Sequence, residues 1–207
     1  MIKLLNILVF PLLLTAAQPD FWQATKVSKL LTQKYTLSLE SDFRSINMGG
    51  QLKYSHGDIG ISVPFLGPFK LSLNFREVFE WKNEAWTQEH RPHGTLSTKM
   101  KFGMLGLSAR SRFEYRMKQG KDPVIRNRDM IAVNFGKGFT PLKLIPYTAD
   151  EIFYDLEESE LNRNRFYVGF EIKSISFMKT TVYYLQQSDL KDNKWDPTNV
   201  VGLKLSI

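Results

Sequence analysis

Apolar and polar residues alternate along most of this chain with a period of two. The clearest runs span 35–44, 69–81, 107–117, 163–173 and 200–207, and weaker runs span 21–30, 58–65, 95–102, 124–135, 147–156 and 175–186. Because successive side chains of a β-strand point to opposite faces, this period predicts strands with one apolar and one polar face. Patterns typical of long helices are nearly absent. The sequence therefore predicts an all-β fold.

The alternation fits two classes of protein, which differ in the face that they bury. A soluble barrel or sandwich packs its apolar face inside, whereas a membrane barrel turns that face to lipid. Several runs are long enough for a tilted bilayer-spanning strand, which needs ~9–11 residues. Aromatic residues gather at strand ends, and long polar links are predicted at 45–57, 82–94, 118–123, 157–162 and 188–197, alternating with short ones. This favours a single antiparallel, up-and-down transmembrane β-barrel; a secreted soluble β-barrel that binds an apolar ligand is an alternative.

The number of strands does not follow directly from the count of runs. Eleven runs are present, while bacterial membrane barrels usually have an even number of strands. If the run at 21–30 lies outside the barrel, ten strands remain. If a further strand is hidden near 46–56, there are twelve, and we favour twelve. The chain finishes on its last run at Ile207, where such barrels usually carry an aromatic residue.

Residues 1–17 have the layout of a secretory signal peptide. Lys3 precedes an apolar run that is too short to cross a bilayer as a helix, and Thr15 and Ala17 fit a cleavage site before Gln18. We therefore expect a signal peptide at 1–17, a β-barrel at 18–207 and a location in the outer membrane of the cell.

Composition excludes several classes of protein. The 207 residues include no cysteine, which rules out a disulfide scaffold, a cysteine-ligated metal and a cysteine nucleophile. The formal net charge of +7 is compatible with a nucleic-acid partner. The arginines, however, are spread over many strands in period-two register rather than along one stripe, so we expect no nucleic-acid binding.

The polar face of the runs carries nine of the ten arginines, with Arg91 alone predicted in a loop. The residues that we predict to line the interior are Arg44, Arg76, Arg110, Arg112, Glu114, Arg116, Arg126, Arg128, Glu151, Arg163, Arg165, Tyr167 and Glu171. Interleaved arginines and carboxylates form bidentate ion pairs in a narrow space. The interior is therefore either filled by a ladder of salt bridges or a narrow conduit that favours small anionic solutes.

Enzymatic chemistry has little support in the residues. His56, His90 and His93 are predicted in outer loops or at strand rims, where an Asp–His pair could activate water and the histidines could collect a metal ion. A barrel enzyme that acts on lipid or peptide at the extracellular rim is thus an alternative. Scattered loop histidines are more often solvated polar residues, so we predict no enzyme, catalytic residue, metal or cofactor.

Five stretches, in order and at characteristic spacing, carry a family resemblance. They are Arg91–His93, Ser108–Arg116, Arg126–Arg128, Pro146–Leu156 and Leu161–Gly169. The chain resembles a widespread bacterial family of small proteins of unknown function that are expected to form outer-membrane β-barrels. The resemblance implies a Gram-negative outer-membrane barrel, with outer-membrane lipid and the insertion machinery as partners. It implies no activity, substrate or catalytic residue.

Overall fold

Eleven strands follow one another in the structure, a computed structural model that describes residues 18–136, 138, 140–141, 143–172 and 177–207. They are β1 (Asp20–Leu30), β2 (Thr36–Ser45), β3 (Leu52–Phe65), β4 (Phe69–Lys82), β5 (Ala85–Phe102), β6 (Leu105–Lys118), β7 (Val124–Phe135), β8 (Leu144–Asp155), β9 (Glu160–Ile172), β10 (Lys179–Lys191) and β11 (Lys194–Ser206). In this part of the chain no helix is long and apolar enough to cross a bilayer. The predicted signal peptide at 1–17 lies outside the described residues.

The sheet closes on itself in chain order. Each strand pairs antiparallel with its chain neighbour, and β1 pairs parallel with β11 over Asp20–Lys26 and Val200–Ser206. The Ile207 N–H donates to the Lys26 carbonyl (2.9 Å) and the Ser28 N–H donates to the Ile207 carbonyl (2.8 Å), which extends this seam. The all-β, up-and-down barrel is therefore confirmed, with one parallel pair at its closure.

The preferred number of twelve strands is wrong, and so is the alternative of ten. The run at 21–30 belongs to β1, which pairs on both sides and so lies within the barrel. No separate strand occupies 46–56, because 46–51 connect β2 to β3 and the rest belongs to β3. An odd number of alternating strands makes the first and last strand run in the same direction, which is why the seam is parallel.

The prediction of long loops at 82–94 and 188–197 is also wrong, because strands extend into both ranges. β4 and β5 are joined by Asn83 and Glu84, and β10 and β11 by Asp192 and Asn193. All four residues have positive φ, between 49° and 61°, as a two-residue hairpin turn of type I′ requires. Polarity on both faces of these strand ends hid their period-two pattern.

The strands turn apolar side chains to the outside of the barrel and charged side chains to the inside. Leu73 is 61% exposed and Phe166 49%, while Arg165 is 4% exposed. The strands are 10 to 18 residues long. The hydrophobic core cluster inside the barrel is small: Trp22, Leu185 and Val200 pack behind the parallel seam. Charged and polar side chains occupy most of the remaining interior.

The stagger of the barrel can be read from one row of register partners, which takes one residue from each strand. Starting at Trp22 and crossing β2, β3 and β4, the row reaches β5 at Thr87. Starting at Trp22 in the other direction, it reaches β5 at Lys101, fourteen residues further along the strand. With ~3.3 Å per residue and ~4.8 Å between strands, this stagger tilts the eleven strands by about 40°.

Glycines on this row let large side chains lie flat against the inner wall. A Cβ atom on Gly202 would lie 2.0 Å from Cζ of Tyr183, and one on Gly169 would lie 2.9 Å from Cε1 of Tyr147. Tyr183 is the register partner of Gly202, and Tyr147 of Gly169. The tyrosine rings therefore cover their glycine neighbours instead of projecting across the interior, as in aromatic rescue of strand glycines.

We expect Gly202→Ala to lower the free energy of unfolding by about 1–3 kcal/mol, because the added methyl group displaces the Tyr183 ring. Gly57→Ala is the matched control, since no atom lies within 4 Å of its added Cβ. Thermal unfolding followed by circular dichroism measures both changes, and Tyr183→Ala should recover part of the loss in the Gly202→Ala background. A Gly202→Ala protein as stable as the wild type would contradict this packing.

Candidate functional site in the barrel interior

All ten arginines of the chain line the interior of the barrel. Alternation places them there: β6 turns Arg110, Arg112 and Arg116 inward, and β7 turns Arg126 and Arg128 inward. The prediction that Arg91 lies in a loop is wrong, since it is buried on β5. Of the thirteen predicted interior residues, twelve border a cavity, and the thirteenth, Glu114, is buried behind the arginines.

Glu114 on β6 is the first of two central carboxylates. Its Oε2 lies 2.6 Å from Nη2 of Arg126, and its Oε1 lies 2.7 Å from Nη1 of Arg128. Arg112 and Arg91 approach it at 3.7 and 3.9 Å. Glu114 is 0% exposed. One carboxylate thus faces four guanidinium groups, which leaves an excess of positive charge around it.

Glu151 on β8 is the second central carboxylate. Arg110 donates to its Oε1, Arg128 lies 2.9 Å from the same oxygen, and Arg165 lies 3.7 Å from Oε2. The Tyr167 hydroxyl donates to Oε2 at 3.4 Å. Because Arg128 contacts both carboxylates, it joins them into one network that spans β6 to β9.

Further ion pairs surround this centre, most of them within one strand or between neighbouring strands. Glu89 on β5 accepts from Arg91 (2.8 Å) on its own strand and from Arg116 (2.7 Å) on β6. Other interior pairs among the described residues include Arg44–Asp42 (2.7 Å), Arg76–Asp58 (2.8 Å), Arg76–Glu40 (3.7 Å), Lys204–Glu40 (3.4 Å), Arg163–Asp189 and Lys179–Glu171. In these contacts eight carboxylates pair with ten arginines and two lysines.

Two buried aromatic rings stack against the guanidinium groups. Four guanidinium carbons (Cζ) lie within 6 Å of the centroid of the Phe153 ring, and they belong to Arg126, Arg128, Arg163 and Arg165. The ring of Trp22 lies against Arg44 (3.9 Å) and Arg165 (4.8 Å). Cations over aromatic faces are held more strongly when water is excluded, so these rings fix the arginines as well as filling space.

Two cavities open from this interior toward opposite ends of the barrel. The larger cavity, about 350 Å³, lies at the end with the Asn83–Glu84 and Asp192–Asn193 turns, and the smaller one, about 310 Å³, lies at the other end. They are separated by a septum, whose residues border both cavities. The septum consists of Trp22, Arg44, Arg76, Arg128 and Arg165.

The surface that each cavity presents is strongly basic. The acidic residues that border the larger cavity are Asp20 and Glu80, and those that border the smaller one are Glu40, Asp42, Glu151 and Glu171. The basic residues that border the larger cavity are Arg44, Lys53, Arg76, Lys82, Arg91, Arg116, Lys118, Arg126, Arg128, Arg163 and Arg165. Such a surface attracts anions and repels cations.

The histidines do not form the rim group that the sequence predicted, so this placement is wrong. His56 and His93 are buried on the inner face, where their Nε2 atoms lie 3.7 Å from Glu40 and 3.6 Å from Asp58. His90 lies on the outer face, with Nδ1 2.7 Å from Oε2 of Glu77. Opposite faces of the wall cannot supply ligands to one metal ion or groups to one catalytic site.

Sequence reasoning missed two residues that shape the interior, Trp22 and Phe153. Trp22 lies on the weakly alternating first strand, and Phe153 is an apolar residue on a face that is otherwise charged. The two-residue step from Glu151 to Phe153 to Asp155 was the available signal, since residues two apart share a face.

The fold and the site together define a class of protein: a closed up-and-down β-barrel with an ionic interior and an apolar exterior. A family model described as "Protein of unknown function (DUF2490)" matches residues 20–198, and the chain belongs to this family. The family resemblance is thereby confirmed, and the match runs from β1 into β11. No curated protein and no solved structure matches the chain.

We expect Glu114→Gln to lower the free energy of unfolding by about 3–5 kcal/mol, because three buried arginines and the partly buried Arg112 lose their shared counter-charge. Glu158→Gln, an exposed position in the turn after β8, removes the same charge and should change stability by less than about 0.5 kcal/mol. Chemical or thermal unfolding of the purified barrel measures both. Equal stability of the two variants would contradict a central role for Glu114.

Proposed function

We propose that the protein is an outer-membrane β-barrel whose arginine-lined interior forms a narrow path that favours small anions. The observation that carries this proposal is the reversed arrangement of side chains, with apolar residues outside and all ten arginines inside. In water this arrangement exposes a large apolar surface, whereas in a bilayer the same surface meets acyl chains.

The outer wall offers further support for a lipid environment. Its strands are at least as long as the ~9–11 residues that a tilted strand needs to cross a bilayer. Trp81, Trp86 and Trp195 flank the two-residue turns at one end, where a bilayer interface favours tryptophan. Several outward polar groups also satisfy each other, as Asn164 does by donating to Asp150 at 2.8 Å.

Export and assembly follow from this proposal. Residues 1–17 direct the chain across the inner membrane and are removed before Gln18. The insertion machinery then places the barrel in the outer membrane, where its partners are lipids. No enzymatic step is part of the proposed function.

Selection of anions rests on the charges around the two cavities. An ion that crosses the barrel passes a septum with four arginines and one tryptophan. Rings of arginine favour anions in narrow pores. An anion there exchanges hydration for guanidinium hydrogen bonds, while a cation has no comparable partner.

A second candidate function is a closed structural barrel, and the septum itself favours it. Arg128 and Arg165 are buried and pair with central carboxylates, so the network fills the space between the cavities. Small barrels commonly fill their interior with side chains in this way. The two candidates differ in one measurable property, the passage of ions.

Membrane placement is tested by fractionation of cells and by gel migration with and without boiling. We expect the mature chain in the outer-membrane fraction, and we expect the unboiled form to migrate faster, because a folded membrane barrel resists detergent until it is heated. A periplasmic or secreted protein that stays folded in plain buffer would instead establish the soluble barrel.

We expect Phe153→Ala to raise conductance in planar bilayers severalfold, because it removes the ring behind the septum arginines. Phe166→Ala is the matched control on the neighbouring strand, since that ring points outward. A salt gradient should give the wild type a reversal potential on the anion side. If neither the wild type nor Phe153→Ala conducts, the conduit is wrong and the closed structural barrel is the remaining candidate. A reversal potential close to that of the cation would contradict selection of anions.

A further inference from the structure

The larger cavity holds cationic groups that the internal network does not neutralise. Among the residues that the structure describes, no carboxylate oxygen lies within 4 Å of Lys53 Nζ or of Lys118 Nζ. Lys118 is the last inward-facing residue of β6. Arg44 pairs with Tyr54 and Ser45 with Leu52, so Lys53 is the extra residue of a β-bulge, which turns it to the cavity rim.

The arginines around the same cavity are held from behind. Arg44 and Arg163 bind Asp42 and Asp189 through Nε, and Nη2 of Arg44 also donates to Asp42 at 3.4 Å. Binding on this edge orients the guanidinium plane and leaves Nη1 pointing away from the carboxylate. The Arg163 side chain keeps 31% exposure, and neither carboxylate borders the larger cavity. The cavity wall thus presents the guanidinium donors of Arg44 and Arg163, while the carboxylates of Asp42 and Asp189 lie outside the cavity.

Aromatic rings keep this arrangement rigid before any ligand arrives. The Arg44 guanidinium contacts two aromatic rings, with its Cζ 3.9 Å from the centroid of Trp22 and 4.3 Å from that of Tyr54. A side chain held by two rings loses little conformational entropy when it binds an anion, which favours tight binding.

We propose that the larger cavity binds an anion that carries at least two phosphate groups. Guanidinium forks and lysine point charges are the groups with which proteins bind phosphate oxygens. Two or more phosphates match the many cations better than a single charge does, and a cavity of about 350 Å³ is of the size that small ligands occupy. The inference rests on the proposed preference for anions and names the ligand class.

The test is calorimetric titration of the folded barrel in neutral detergent with inorganic pyrophosphate and, at equal ionic strength, with orthophosphate. We expect saturable binding of pyrophosphate that is at least about tenfold tighter than binding of orthophosphate. Lys53→Gln combined with Lys118→Gln should weaken pyrophosphate binding by about tenfold. Lys191→Gln with Lys194→Gln, two lysines at the same end but outside the cavity, should leave it within about twofold.

Absence of saturable pyrophosphate binding would overturn the proposal, and so would an equal loss in the two double variants, which would mean unspecific charge attraction. Unboiled gel migration shows that each variant is folded. Micelles doped with cardiolipin, a lipid with two phosphates, separate the sources: competition with pyrophosphate assigns the site to a lipid headgroup, and lack of competition to a soluble phosphate compound. Bilayer recordings separate this site from the proposed path, because a closed barrel that binds pyrophosphate overturns only the conduit.

Discussion

Enclosed positive charge is the constraint on which this barrel depends. Ten guanidinium groups share a narrow interior, and each must find a carboxylate, a carbonyl oxygen, a ring face or water. Glu114 and Glu151 meet this need for most of the centre because each contacts several arginines. The network determines the pairing partners across β5 to β9, so a one-residue slip of any of these strands would turn its charges toward the outer wall.

The positions of the two cavities follow from where large and small side chains lie along the strands. Glycines at 169 and 202 let two tyrosine rings lie along the wall of the smaller cavity, while Trp22 and Phe153 take up volume near the middle. Side chains therefore leave space open in the smaller cavity and fill the interior near the middle of the barrel. This distribution of side-chain size produces two cavities and a septum.

Sequence alone predicted the class of fold and the direction of the charged face, because period two is a local property that any strand with unlike faces must show. It failed at Arg91 and at His56, where inward polar residues sit beside outward polar ones and the contrast between faces vanishes. The count of eleven runs equals the number of strands, and the prediction of twelve failed because it favoured the even number usual in bacterial membrane barrels. Phe153 was missed because its role arises from arginines on the neighbouring strands β7 and β9, and Trp22 because its role arises from Arg44 on β2 and Arg165 on β9.

The parallel seam has a consequence for how this architecture changes over evolution. Duplicating or deleting a hairpin adds or removes two strands, so every such descendant keeps an odd number and the same kind of closure. A tight turn cannot join β1 to β11, since parallel neighbours need a crossover connection. A circular permutation that joins the end of β11 to the start of β1 would therefore require an additional segment that runs the full height of the barrel.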